Sequence, residues 1–242
     1  MIIKQIHYSI SPEIFALFPA YVRILVVATD INNIDRCPDL LNMLRAAEDE
    51  LAGIPLNSLL SSPKIVAWQE AFRKTGTKLS EFRPAHEALA RRAIRGKLLP
   101  DINTAVNIGN ILSLRYQLPV GVHPLDSVGN RLELRRACGN EVFLALGSQK
   151  QETPNFGEIV FADANHVLSR CWVWRQAQCS VTLPTTRAIV INLDGLPPAN
   201  QQEIQMAAVE AKEMVQRFCG GQINCYTLCS RIPSISFQIQ SN

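Results

Sequence analysis

The chain changes pattern near its middle. The first half carries apolar residues at helical spacing around one near-continuous apolar run, and the second half carries short runs cut by glycine and proline. Residues 21–29 (YVRILVVAT) are that run and predict a buried strand. Residues 39–51 place Leu40, Leu41, Leu44, Ala47 and Leu51 on one side of a helix. Residues 63–74 predict a second helix, with proline in its first turn, and residues 84–97 a third, basic on its outer face. The first third thus reads as one strand plus helices. From Pro100 to about Leu118 a further helix is predicted, with Asp101 as its N-cap and Ile102, Ala105, Val106, Gly109, Leu112 and Tyr116 recurring at three and four. A second stripe, Asn103, Asn107 and Asn110, keeps the same spacing. Asparagine is a poor helix former. Solvated helix faces usually use Glu, Lys or Gln instead, so three amides on one face predict a polar, uncharged wall that holds a ligand or a buried turn.

Beyond Pro119 strands and turns take over. Residues 131–137 alternate, and residues 141–146 and 158–161 are short apolar runs bounded by Gly139-Asn140, Gly147 and Gly157. Residues 169–175 and 187–193 predict further strands. Residues 201–219 return to helix, ended by Gly220-Gly221, and residues 222–229 read as a closing strand. Helices and strands mixed in this order predict an α/β (α+β) fold, with no internal repeat.

Residues 170–176 (RCWVWRQ) set two tryptophans two apart between two arginines. In an extended strand Trp172 and Trp174 share one face with Arg170, and Cys171, Val173 and Arg175 share the other. Paired indoles beside a guanidinium suit a flat polar ligand. They suit the lid of a hydrophobic core equally well, and both readings stand at this point.

Composition narrows the classes. With 242 residues, 47% of them hydrophobic, the chain has enough apolar material for one large core or two small ones. No apolar run reaches bilayer-spanning length, and residues 1–9 lack the features of a secretion signal. Seven cysteines, an odd number, read as reduced thiols in a cytoplasm rather than a disulfide framework. The net charge of +3 hides an uneven distribution: residues 73–97 hold eight basic residues, Arg91, Arg92 and Arg95 among them, against two acids. That sector is the footprint expected for a polyanion, or else the wet face of a helix.

Familiar catalytic signatures are missing. The sequence has no phosphate loop, dinucleotide-binding glycine fingerprint, HExxH or GxSxG motif. Cys219, Cys225 and Cys229 lack the spacing of a zinc knuckle and read as small core residues, so neither a metal nor a cofactor is expected. His7 and His86 stand in segments without other signals and read as surface residues, while His166 falls in a turn over residues 163–166. His123 lies in PVGVHPLD (119–126), just after the asparagine helix and three residues before Asp126. An imidazole, a carboxylate and amides are thus close in sequence, as an active site or a structural turn would have them.

Several segments together are similar to a known family: NILSLRYQLPVG (110–121), LD (125–126), LRRA (134–137), EVF (141–143), GEIVFAD (157–163), RCWVWRQ and VT (181–182). In this order they resemble the B3/B4 domain of the phenylalanyl-tRNA synthetase beta subunit, and more closely the free-standing proteins made of that domain alone. The resemblance covers about residues 100–221. It implies a layered fold of mixed sheets with packed helices, with residues 1–99 an amino-terminal part of the same unit and residues 100–242 the core carrying the site. In the synthetase this domain hydrolyses the ester of tyrosine wrongly joined to phenylalanine tRNA. The resemblance therefore implies a trans-editing hydrolase whose partner is a mischarged aminoacyl-tRNA, with no DNA, membrane or amino-acid activation involved. A non-catalytic tRNA-binding module and a small-molecule binder are the alternatives.

Residue by residue, Asn110 matches the family's helix asparagine. The family's histidine position holds Gly121, and the nearest histidine is His123. The family's glutamate position, in the run 179–182, holds Ser180 before Val181-Thr182. Both departures argue against tyrosine as the edited residue. The implied roles are catalysis by His123 and Asn110, and substrate binding by Asn103, Asn107, Gly121, Asp126, Trp172, Trp174, Ser180 and Thr182. Arg91, Arg92, Arg95, Arg170 and Arg175 are expected to meet phosphate. All of this presupposes a cavity between the asparagine face and the tryptophan strand.

Overall fold

The computed structural model describes residues 2–199 and 201–241. In chain order its elements are β1 (Ile2–Ile10), α1 (Pro12–Leu17), β2 (Val22–Thr29), α2 (Pro38–Asp49), α3 (Leu56–Leu60), α4 (Pro63–Lys74), α5 (Ala85–Ile94) and α6 (Thr104–Tyr116). There follow β3 (Val120–Pro124), β4 (Arg131–Arg136), β5 (Phe143–Leu144), β6 (Gln151–Glu152), β7 (Ile159–Ala162), β8 (Val167–Arg170), β9 (Arg175–Gln176), β10 (Ile189–Gly195), α7 (Gln201–Phe218), β11 (Gln222–Leu228) and β12 (Ser234–Ser241). Strands β11-β2-β10-β3 form an antiparallel four-stranded sheet. Strands β12-β1-β4-β7-β8-β9 form a six-stranded mixed sheet, parallel only between β1 and β4.

Side-chain alternation turns these sheets into layers. Ile24, Val26, Ala28, Val122, Ile189, Ile191 and Leu193 point from the four-stranded sheet toward α2, α6 and α7 and build one core with them. Leu25, Val27 and Val190, on the opposite face, pack with Ile6, Tyr8, Leu134 and Phe161 of the six-stranded sheet in a second core, closed at one side by Trp68 and Phe72 of α4. The continuous apolar reading of residues 21–29 follows from this: β2 is buried on both faces. Gly109 permits a close helix contact, since a Cβ there would lie 2.6 Å from a methyl of Val122.

Several sequence expectations need correction. The first third holds two strands, not one. β1 was hidden because Lys4, Gln5, His7 and Ser9 interrupt its apolar positions while Ile6, Tyr8 and Ile10 alone face the core. The helix after Pro100 starts at Thr104, capped by Asn103, whose side chain accepts from the Val106 amide 3.1 Å away; Asp101 is not the cap. The segment 141–146 is a strand only at β5, and 169–175 is not one strand but two, joined by a tight turn. Cys225 is exposed rather than a core residue. Among the described residues no helix is long and apolar enough to cross a membrane.

His86 is a further correction, because it is buried, edge-on to Trp68, with both ring nitrogens unpaired. Burial, helped by the charge of Lys64, pushes its pKa down to about 3. Unfolded, an imidazole titrates near ~6.5. Above that value neither state takes up a proton. As pH falls below it the unfolded chain protonates first, and stability drops by up to about 1.4 kcal/mol per pH unit until the folded pKa is reached. His86→Leu is therefore expected to shrink the loss of unfolding free energy between pH 7 and pH 5 by about 2 kcal/mol, as measured by urea melts at both values.

Candidate functional site

Facing residues on β2, β10 and β3 set the site. Arg23 pairs in register with Asp194, and Asn192 lies opposite Gly121, so Arg23, Asn192, Asp194, Gly121 and His123 share the face turned toward the six-stranded sheet. A glycine there leaves a gap in an otherwise packed layer. The gap opens into a cavity of about 100 Å³ between the two sheets, lined also by Phe161, Ser169, Gln176, Ala85, Val120 and the turn 172–175. That is well below the roughly 300 Å³ at which drug-sized pockets begin, so it takes a small group. A Cβ on residue 121 would lie 3.2 Å from His123 Nε2, so any larger side chain there would crowd the imidazole.

The floor is a directed hydrogen-bond network. Arg23 Nε and Nη2 donate to the two carboxylate oxygens of Asp194 at 2.7 and 3.1 Å, and Nη1 donates to the Tyr8 hydroxyl at 2.9 Å. Tyr8 donates on to Asn192 Oδ1 at 3.0 Å. Tyr21 donates to Asp194 and accepts from Trp172 Nε1 at 3.3 Å. Arg23 and Asp194 are both almost wholly buried. Burial works against the guanidinium charge, but Asp194 outweighs it and the Arg23 pKa is raised. Burial also raises the Tyr8 and Tyr21 phenols, which keeps both as donors.

His123 packs edge-on to Phe161 with its Nδ1 3.4 Å from Gln176 Nε2. The Gln176 amide nitrogen gives its two protons to the carbonyls of Val122 and Ser180 and rests against Nδ1 without a third to donate. Burial, reinforced by the Arg23 charge, pushes the imidazole pKa down to about 3, so the ring is a neutral N–H donor at physiological pH.

The tryptophan wall hangs on a strained turn. Cys171 and Trp172 have φ of +45° and +61°, and the Val173 amide donates to the Cys171 carbonyl at 2.7 Å, a γ-turn. Such backbone costs on the order of 1–3 kcal/mol per residue. Glu158 holds it: its carboxylate accepts from Arg170 at 2.9 and 2.8 Å and from the Cys171 amide at 3.1 Å, and Glu152 also pairs with Arg170. Trp172 lies in the core against Tyr21, Trp68 and Phe18 with one side on the cavity; half-buried Trp174 packs edge-on to Phe82 and lines the cavity too. Core lid and cavity wall are thus both served.

The other predicted site residues lie elsewhere. α6 packs on the opposite face of β3, so none of Asn103, Asn107 and Asn110 lines the cavity. Asn103 caps its helix and donates to the Thr182 carbonyl, and Asn107 donates to Asp101. Asn103 and Asn107 thus secure the start of the helix rather than wall a ligand. Ser180 and Thr182 are buried, bonding the carbonyls of Leu168 and Val122. Asp126 accepts from the amides of Arg187 and Ala188 away from the cavity. Arg170 is buried in its ion pairs, which removes it from phosphate contact. Arg91 pairs with Glu87, whereas Arg92, Arg95 and Arg175 are exposed, Arg175 at the cavity. Sequence reasoning missed Tyr8, Arg23, Asn192 and Asp194. Polar residues inside the apolar runs 21–29 and 187–194 were the available signal.

A layered α+β protein with a small, polar-floored pocket between its two sheets is the class these features define. The chain belongs to the B3/4 domain family, whose model matches residues 67–220, more than half of its length. Among solved structures it is similar to an N-terminal fragment of the phenylalanyl-tRNA synthetase beta-subunit from Pyrococcus horikoshii, at 11% identity and a TM-score of 0.45, covering 89% of this chain and 49% of that one. The chain thus spans about half the length of that fragment. No curated protein matches it.

Removing the clamp of the turn is a direct test of its role. Arg170→Ala leaves Glu158 buried and unpaired, and is expected to cost about 3–5 kcal/mol of stability in urea melts.

Proposed function

We propose that the inter-sheet cavity holds the aminoacyl group of a mischarged tRNA and that the protein hydrolyses the ester, as a trans-editing factor. The observation that supports this best is His123: a buried, neutral imidazole beside a glycine gap, in a small cavity between the two sheets. Membership of the B3/4 family and the sequence resemblance to that domain of the phenylalanyl-tRNA synthetase beta subunit favour tRNA as the carrier. An aminoacyl ester is already activated, so hydrolysis needs a placed water and donors to the developing oxyanion more than a strong nucleophile. The His123 imidazole polarises the carbonyl or orients the water, and the backbone about Gly121 holds the acyl group. Trp174 and Arg175 meet the terminal nucleotide outside the cavity.

The basic sector is placed to help. α5 begins at the cavity with Ala85, whose amide donates to the Val173 carbonyl at 2.8 Å. Arg92 and Arg95 follow seven and ten residues on, roughly 10–15 Å along the helix. Phosphates near the acceptor end of a bound tRNA lie within that reach.

Deacylation assays with a panel of mischarged tRNAs test the reading. Hydrolysis of at least one is expected, and His123→Ala should lower its rate by about 10²-fold or more with tRNA affinity retained. Because the imidazole is neutral down to about pH 3, the wild-type rate should show no His123 inflection near pH 6.5. Failure to hydrolyse any member rejects the proposal. Independently, tRNA binding should weaken with rising salt, and Arg92→Glu with Arg95→Glu should reduce both the affinity and the salt slope, read by filter binding.

A further inference from the structure

The floor of the cavity contains one polar group that the ester chemistry leaves unused, and its polarity is fixed by its neighbours. Arg23 only donates, so the Tyr8 hydroxyl accepts from it and must pass its own proton on to Asn192. Asn192 therefore presents its carbonyl oxygen to Tyr8. No described residue accepts a hydrogen bond from its amide nitrogen, which is not sealed off but open to the cavity that the residue lines. A ligand that supplies an acceptor there takes the place of water on this donor.

We infer that Asn192 reads the side chain of the bound amino acid, and that the cavity selects a small side chain carrying a neutral acceptor oxygen, of the serine, threonine or asparagine kind. This rests on the proposed function for the identity of the carrier. The ester stays tethered to a ribose too large to enter, so the acyl carbonyl sits toward the opening and the side chain toward the floor. Charge decides against a carboxylate: Arg23 is already neutralised by Asp194, which lies two residues from Asn192 on the same face. The hydroxyl of Ser169, also lining the cavity, adds a second neutral polar contact.

Threonine and valine are the informative pair, because they match in shape and differ in the oxygen. A site built to bond a hydroxyl rejects the analogue lacking it by several orders of magnitude at best. Threonyl-tRNA is expected to be hydrolysed at least 10²-fold faster in kcat/KM than valyl-tRNA. Asn192→Leu should collapse that ratio to within about threefold. Tyr8→Phe, which releases the amide to rotate, should reduce the ratio in the same direction with folding checked by circular dichroism.

Binding separates this inference from the hydrolase reading. The 3′-amide analogues threonylamino- and valylamino-adenosine cannot be cleaved as esters, and their affinities are measured by calorimetry. A threonyl preference that vanishes in Asn192→Leu upholds the inference even if no tRNA is deacylated, in which case only the hydrolase reading falls. Hydrolysis without a threonine-over-valine preference, equal affinities, or no binding of either analogue overturns it.

Discussion

The buried pair of Arg23 and Asp194, joined across two neighbouring strands in the middle of the molecule, is the constraint from which the rest follows. Neither charge can be taken from water without the other, and the pair alone does not satisfy the guanidinium. Tyr8 from the opposite sheet completes it, so the polar cluster also ties the two sheets together. Tyr21 and Trp172 extend the chain of bonds to the turn that walls the cavity. A polar network in the middle of an apolar layer keeps that layer from closing into solid hydrocarbon, and it directs which groups face the remaining space.

Division of labour between the two faces of one sheet explains the placement of everything else. Alternate residues of β2 and β10 serve the helical core, and the residues between them serve the cavity layer. Because the four-stranded sheet stands between α6 and the cavity, the side chains of α6 pack in the helical core and do not line the cavity. The γ-turn after β8 stores strain at the cavity edge, and the Arg170–Glu158 pair that restrains it sits behind the wall rather than in the space itself.

Much of this was legible in the chain. The long apolar run at β2, the helices α2, α4, α5 and α7, and the glycine-bounded strand β7 followed from period and punctuation, because their burial is one-sided or complete. What escaped depended on partners distant in sequence. β1 carries too few apolar positions to be seen without β4 and β12 beside it. Trp172 and Trp174 were assigned to one strand face because alternation assumes extended backbone, and two consecutive positive φ values broke that assumption. Gly121 and His123 were recognised as notable, and both line the cavity, but the asparagine stripe was misread because a capped helix start and a ligand wall use the same residue type. Arg23 and Asp194 looked like interruptions of apolar runs, and only the strand pairing turns them into a site.

The alignment of β3 against β10 carries one last consequence. Gly121 stands opposite Asn192 only in the observed register. Sliding β3 by a single position would turn its valines inward and its glycine and histidine out, because side chains alternate at every step. The hollow is therefore a property of how two ribbons are aligned, and β3, an outer ribbon bonded along one side only, is where a change in alignment would erase it.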